Sequence, residues 1–316
     1  MKPTAPRAKA EPTQFGPVGP LSGVAVVPGD KSISHRALML SAMAVGRSRI
    51  EGLSEGGDVH STAAALRAMG LRIEPRSGGW EVDGVGTGGL LQPRPALDMG
   101  NSGTSTRLLM GLIASHPIVA TFTGDESLCR RPMDRVIAPL SRLGADVAVS
   151  PGGRLPLTLR GMASATGAEF RLTVASAQVK SALLLAGLNA SGITRVIEPV
   201  PTRDHSERML KAFGARVTVE DSAERRISLE GEAALRPQTI VVPGAPSSAA
   251  FLIVAALIVP GSEVRIEGVG INPMRIGLFE MLREMGADLA WSNERDMGGE
   301  PVPDILVRHS PLNSIA

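Results

Sequence analysis

One segment of the chain recurs four times, and this recurrence limits the possible folds more than any other feature. VVPGDKSISHRALMLSAMAVGRSRIEGL, from Val26, is matched by VVPGAPSSAAFLIVAALIVPGSEVRIEGV, from Val241. Between them lie MGNSGTSTRLLMGLIASHPIVATFTG, from Met99, and ASAQVKSALLLAGLNASGITRVIEPV, from Ala175. Each copy reads as a strand or turn, an apolar helix and a short β-branched strand. A second helix then ends on AMG, RLG, AFG or EMG, closing at Gly70, Gly144, Gly214 and Gly286. The closing glycines are 74, 70 and 72 residues apart, a period that implies stacked supersecondary units. Glycine at these points fits a left-handed helix C-cap. A strand hairpin follows each one, such as LRIEPRSGGWEVDG at 71–84 with its SGG turn. The predicted unit is therefore β-α-β-α-β-β, in an α/β fold.

The helices of a unit differ in kind. In the second helices, Val136, Leu140 and Leu143 share one face, as do Met209, Leu210 and Phe213. The first helices, with LMLSAMAV, ALLLAGL and AAFLIVAALIV, are apolar nearly all round and are expected inside, surrounded by other elements. Units one to three, 28–242, are expected to form one complete domain with three-fold pseudo-symmetry. Unit four with a strand near its start, 21–27 plus 243–316, is expected to form part of a second, which would leave helix faces of AAFLIVAALIV bare. The chain would cross between them near Val27–Pro28 and Val242–Pro243. Residues 1–20, rich in Pro, Ala and charge, read as a disordered leader.

Composition removes several function classes. The net charge is +2 with no long basic run, and aromatics are 3 % with no Tyr, which argues against nucleic-acid binding. The longest apolar stretch, 249–259, is short of the roughly 20 residues a bilayer requires. No apolar signal core opens the chain, so a cytoplasmic location is expected. The single cysteine, Cys129, excludes an intramolecular disulfide framework. His35, His60, His116, His205 and His309 lack metal-ligand spacing with one another or with Cys129, and neither a metal nor a cofactor is expected.

What all copies share reads as scaffold, and what one copy adds reads as function. Gly29 to Arg36 and Gly244 to Phe251 both span seven residues, so the scaffold accepts Phe where the first copy has Arg36. Lys31 likewise faces Pro246. Lys31, Ser32 and Arg36 at the start of an apolar helix point to an anion site, most naturally for phosphate. Ser32 alone reads as a helix N-cap. The segment is not a Walker A loop, because Asp30 occupies a glycine position. In GNSGTSTR, Arg107 matches Arg36 in phase, and Gly103 lets a ligand approach the backbone. A glycine-rich capped turn explains that stretch equally well. Arg130 and Arg131 precede a helix opened by Pro132 and suit an anion, with at least one of them solvated. Ser176, Gln178 and Arg203 can hydrogen-bond hydroxyls or phosphate. Asp204, Glu207 and Arg208 read as an N-terminal acid cluster and a surface pair, with His205 exposed. Together these features imply a small substrate with more than one anionic group.

VPGDKSISHRALMLSA, GNSGTSTRLL, RRPM, SAQVKSALLLAGL and TRDHSERML resemble the 5-enolpyruvylshikimate-3-phosphate synthase family, in order from about residue 20 onward. GDKS, SAQVK and RDHSE resemble its class II branch, known for tolerating glyphosate. The resemblance implies the enolpyruvyl transferase fold, an inside-out barrel of two domains, each with three β-α-β-α-β-β units around buried parallel helices. It implies transfer of an enolpyruvyl group from phosphoenolpyruvate to the 5-hydroxyl of shikimate 3-phosphate, with release of phosphate and no cofactor, in aromatic amino-acid biosynthesis. It also implies a full-length form that is monomeric and partners neither nucleic acid nor membrane. By resemblance, Lys31 lies between the two substrates and is the catalytic residue this chain supplies. Ser32, Arg36, Ser176, Gln178 and Arg203 match shikimate 3-phosphate contacts; Gly103, Arg131 and Gln178 match phosphoenolpyruvate contacts.

The chain departs from the family pattern at three points. NPMR stands where class II members commonly have NPTR, with Met274 for Thr. Gly103 stands where the best-known tolerant members have Ala. Four units stand for six, and no KESDR or KETDR segment occurs. The chain alone is therefore expected to be inactive, and an inactive remnant is the competing reading of a different class. A related enzyme, UDP-N-acetylglucosamine enolpyruvyl transferase, has Asn after the Lys where this chain has Ser32. Its reactive Cys lies five residues before the Arg-Pro pair, where this chain has Glu126.

Overall fold

The computed structural model describes residues 16–17, 19–221 and 224–315, so most of the expected leader lies outside the described residues. Every unit carries the two helices that the repeat implies. The first helices are α1 (Lys31–Met43), α3 (Gly103–Ala114), α6 (Ala177–Gly187) and α8 (Pro246–Ile258). The second helices are α2 (Gly57–Ala68), α5 (Asp134–Leu143), α7 (His205–Ala212) and α9 (Gly277–Glu284). A single-turn helix, α4 (Glu126–Cys129), precedes α5. The closing glycines Gly70, Gly144, Gly214 and Gly286 all have φ between +91° and +117°, the left-handed geometry that lets each helix stop and turn into its hairpin.

Among the described residues the strands form four separate four-stranded sheets of one design. In the second unit β5 (Leu97–Asp98) pairs parallel to β6 (Val119–Thr123), with β8 (Arg154–Arg160) and β7 (Asp146–Ser150) following antiparallel. The third unit repeats this order with β9 (Glu169–Arg171), β10 (Ile193–Glu198), β12 (Arg225–Glu230) and β11 (Val217–Asp221). Units one and four exchange their leading strands. β1 (Ser22–Val26), just before α1, pairs with β14 (Glu263–Glu267), β16 (Glu300–Arg308) and β15 (Asp288–Met297) of unit four. β13 (Thr239–Val241), just before α8, pairs with β2 (Val45–Glu51), β4 (Gly79–Val85) and β3 (Arg72–Arg76) of unit one. The two passing segments are bonded to each other: Asp30 N–H donates to Pro243 O (2.8 Å), and Ala245 N–H donates to Pro28 O (2.9 Å).

The buried side chains fall into two clusters. One runs from Ile33 to Val242 and joins units one to three. The other contains Val27 and residues of unit four, from Ala249 to Val307. In the first cluster, α1, α3 and α6 bury eleven of 13, ten of 12 and ten of 11 residues. In the second, α8 buries only five of 13, and Phe251, Val254 and Ile258 are exposed. Among the described residues, no helix is long and apolar enough to cross a membrane.

Candidate active site

The starts of α1, α3 and α6 meet in the first cluster, because each helix carries a polar group one to two turns in. His35 Nδ1 lies 2.8 Å from Thr62 Oγ1 and 3.4 Å from Ser105 Oγ, linking α1 to α2 and α3. Arg36 donates to Ser181 Oγ of α6 (2.6 Å), to Ser206 Oγ of α7 (2.7 Å) and to its own Ser32 O (2.8 Å). Arg107 of α3 donates to Gln178 Oε1 (3.0 Å), and Gln178 Nε2 donates to Thr104 Oγ1 (3.0 Å). Position seven after the turn glycine thus makes an equivalent inter-unit bond in the first two copies. In the fourth copy it is the exposed Phe251.

Gly103, Arg107, Arg131 and Gln178 form one group. A methyl at Gly103 would stand 2.8 Å from Nη1 of Arg107 and 3.4 Å from Nη1 of Arg131. Arg131 donates to Asn101 Oδ1 (3.1 Å), whereas Arg130 pairs with Glu126 on the surface. Burial, together with repulsion from Arg131 and Arg135, lowers the pKa of Arg107. A partly buried arginine among arginines is an unbalanced positive charge, which an anion would relieve. Sequence phase had marked Arg107; its contact with Gln178 belongs to the fold.

A second group surrounds an open cleft of about 480 Å³ lined by Ser176, Gln178, Thr202, Arg203 and Met274. Ser176 caps α6, accepting from Val179 N–H at 3.3 Å. Burial and repulsion from Arg275 lower the pKa of Arg203, and Asp30 partly offsets them. Burial lowers Arg36 to about 10, so it stays charged at neutral pH. Lys31, more than half exposed, pairs with Asp58 of α2 at 2.9 Å. Ser32 is not the cap of α1. Asp30 is, with its Oδ1 accepting from Ile33 N–H at 3.0 Å.

The segment 204–208 corrects the sequence reading most. His205 is 2 % exposed, not solvent-facing, and its Nδ1 lies 2.6 Å from Glu300 Oε1 of the unit-four hairpin. Glu207 is also buried, 2.7 Å from Lys180 Nζ, and burial raises its pKa against the opposing Lys180. Lys180 also binds Glu198 (2.9 Å) and donates to Thr202 O (3.3 Å), which fixes the loop that presents Arg203. Asp204 and Arg208 do pair with each other. They also reach Asn272 (2.7 Å) and Gly299 O (2.6 Å) respectively, so they are an inter-unit contact and not a free surface pair. Met274, the departure from NPTR, lines the cleft. Cys129 is half-buried, and its thiol donates to Gly124 O.

Comparison with known proteins gives one consistent answer. Residues 16–313 match the family model described as EPSP synthase (3-phosphoshikimate 1-carboxyvinyltransferase). The 3-phosphoshikimate 1-carboxyvinyltransferase of Novosphingobium aromaticivorans is 64 % identical over 307 residues, covering 96 % of this chain and 70 % of the relative. That of Zymomonas mobilis is 62 % identical over 298 residues, covering 94 % and 66 %. The structure of EPSP synthase from Acinetobacter baumannii superposes with a TM-score of 0.88 at 47 % identity, over 95 % of this chain and 67 % of that one. The chain thus spans about two-thirds to 70 % of these relatives' lengths, and it belongs to the EPSP synthase (3-phosphoshikimate 1-carboxyvinyltransferase) family.

Proposed function

We propose that this chain holds shikimate 3-phosphate and phosphoenolpyruvate for transfer of the enolpyruvyl group to the 5-hydroxyl. The single observation that carries the reading is the cationic convergence of three buried helix starts. Arg36 is buried and feels the charge of Arg203, and on the neighbouring unit Arg107, bonded to Gln178 of α6, lies close to Arg131. Two phosphorylated anions repel each other, so a site that brings them together must carry several positive charges. Ser32, Arg36, Ser176, Gln178 and Arg203 then take shikimate 3-phosphate. Gly103, Arg131 and Gln178 take phosphoenolpyruvate, with Arg107 bracing Gln178. Lys31, released from Asp58, stands between the two.

In the reaction, the 5-hydroxyl oxygen bonds to the enol carbon as the methylene gains a proton. The hydroxyl proton is lost as that bond forms. The tetrahedral intermediate then loses a proton from its new methyl group, whose C–H electrons restore the carbon–carbon double bond, and expels phosphate, which keeps its bridging oxygen and both electrons of the broken C–O bond. General acid–base groups are required. Residues 1–316 contain no KESDR or KETDR segment, so turnover by these residues alone is not expected. We read the two hydrophobic clusters as two domains, 28–242 and 21–27 with 243–316, in a cytoplasmic protein whose full-length form is monomeric.

Titration calorimetry with shikimate 3-phosphate tests this reading. Saturable binding is expected, and Arg36→Ala should weaken it by about 2–4 kcal/mol, the cost of removing a charged hydrogen-bonding partner. Unchanged affinity in that variant would make Arg36 a structural residue only.

A further inference from the structure

The cation-rich site has a carboxylate at the very start of α1, and the way that carboxylate is occupied is informative. Asp30 begins α1 directly before Lys31 and Ser32, and its side chain is 4 % exposed. Oδ1 accepts from Ile33 N–H (3.0 Å), which caps the helix. Oδ2 is bound at 3.1 Å by Nη1 of Arg275, 245 positions away in sequence. Arg275 belongs to unit four, in the turn 272–275 between β14 and α9. That turn is closed by Arg275 N–H donating to Asn272 O (2.7 Å) and Met274 N–H donating to Asn272 Oδ1 (3.0 Å). Buried Asn272 then anchors the turn to units three and four, donating to Asp204 Oδ1 (2.7 Å) and Glu300 Oε2 (3.0 Å). Met274 of this turn faces the same cleft as Ser176, Gln178 and Arg203.

We propose that Arg275 is a positioning residue for the phosphorylated substrate: by occupying Asp30, it keeps the α1 helix start attractive to an anion, and it makes that site depend on unit four being docked. The inference rests on the shikimate 3-phosphate reading above. An unmasked carboxylate at the N-cap would repel the incoming phosphate, because like charges brought together at a binding site oppose association. Arg36, Arg203, His35 and His205 also interact with Asp30. Arg275 itself repels Arg203, so its place beside both residues is favourable only while Asp30, and then a bound anion, share the charge.

The test is shikimate 3-phosphate affinity of the full chain by calorimetry, with inorganic phosphate titrated in parallel. Arg275→Gln should weaken binding by about 10–100-fold. The double variant Asp30→Asn/Arg275→Gln should return to within about threefold of the native value, since Asn caps a helix as well as Asp does and carries no charge. Asp30→Asn alone should bind at least as tightly as native, an outcome that does not depend on how well Arg275→Gln folds. Native affinity in Arg275→Gln overturns the inference, as does a loss that Asp30→Asn leaves unrepaired. A native chain that binds no shikimate 3-phosphate refutes the substrate reading instead. In that event the inorganic phosphate series decides the masking role by the same loss and rescue.

Discussion

α6 and α8 occupy the same place in their units, and both read as apolar throughout, but they end in opposite environments. α6 buries ten of 11 residues, whereas α8 buries five of 13 and leaves Phe251 80 % exposed. An all-round apolar helix requires neighbours on every side. α6 has α3, α5 and β10 around it, whereas α8 meets β14 and β16 on one side. The burial of such a helix is therefore a property of how many units surround it and not of its own sequence. The same contrast governs polar residues. Around α6, Lys180 is fully buried and satisfied by two carboxylates; the equivalent region of α8 carries no charge at all.

The sharpest way to break this comparison is to damage the three-unit core alone. Lys180→Met leaves Glu207 buried without its cation and Glu198 with only Arg225, at 3.6 Å, and breaking a buried ion pair on one side costs about 3–5 kcal/mol. The two tryptophans report separately: Trp80 packs on the first cluster and Trp291 on the second. In single-tryptophan variants, urea unfolding followed at Trp80 should move to clearly lower denaturant, with a smaller change at Trp291. Equal shifts at both would mean that the two clusters unfold as one.

Acid provides a second, smaller test of the same core. Burial lowers the pKa of His35 to about 3, with Arg36 and Lys31 adding to the effect and Asp58 and Asp30 opposing it, so the folded imidazole is neutral. The unfolded imidazole binds a proton at its ordinary value of 6.5. The contribution to stability is therefore complete above pH 6.5 and drains away as pH falls toward 3. Between pH 7 and pH 5 the loss should be about 2 kcal/mol. Urea midpoints at the two pH values measure it, and His35→Leu should flatten this limb. A native protein whose Trp80 transition is unchanged between them would show that His35 is hydrated in the fold.

The repeat, its closing glycines and the helix starts were legible because each is a local signal. Gly144 ends α5 for reasons contained in a few residues, and the seven-residue spacing to Arg36 and Arg107 needs only counting. TRDHSER was misread because acids at a helix start usually face water. Its acids are buried by Lys180 from α6 and Asn272 from unit four, and its histidine by Glu300, 95 positions away. Ser32 was a plausible cap, and Asp30 displaces it by one turn geometry that sequence does not discriminate. Arg275 carries no local mark, because its meaning lies in Asp30.

The smallest expected effect concerns α8, and it separates exposure from instability. Phe251 is 80 % exposed and lines an open groove of about 550 Å³ with Val254, Leu278 and Phe279. A side chain that touches little contributes little to folding, so Phe251→Asp should change stability by no more than about 0.5 kcal/mol, read at Trp291. Its effect should appear in association instead. An apolar patch of this kind favours self-contact, and a carboxylate placed at its centre must be desolvated on contact. Light scattering across a concentration series should therefore show less association for Phe251→Asp than for the native chain. The Trp291 urea midpoint should stay fixed. A midpoint that falls by more than 1 kcal/mol equivalent would mean that Phe251 is packed in solution, and the contrast between α6 and α8 would fail.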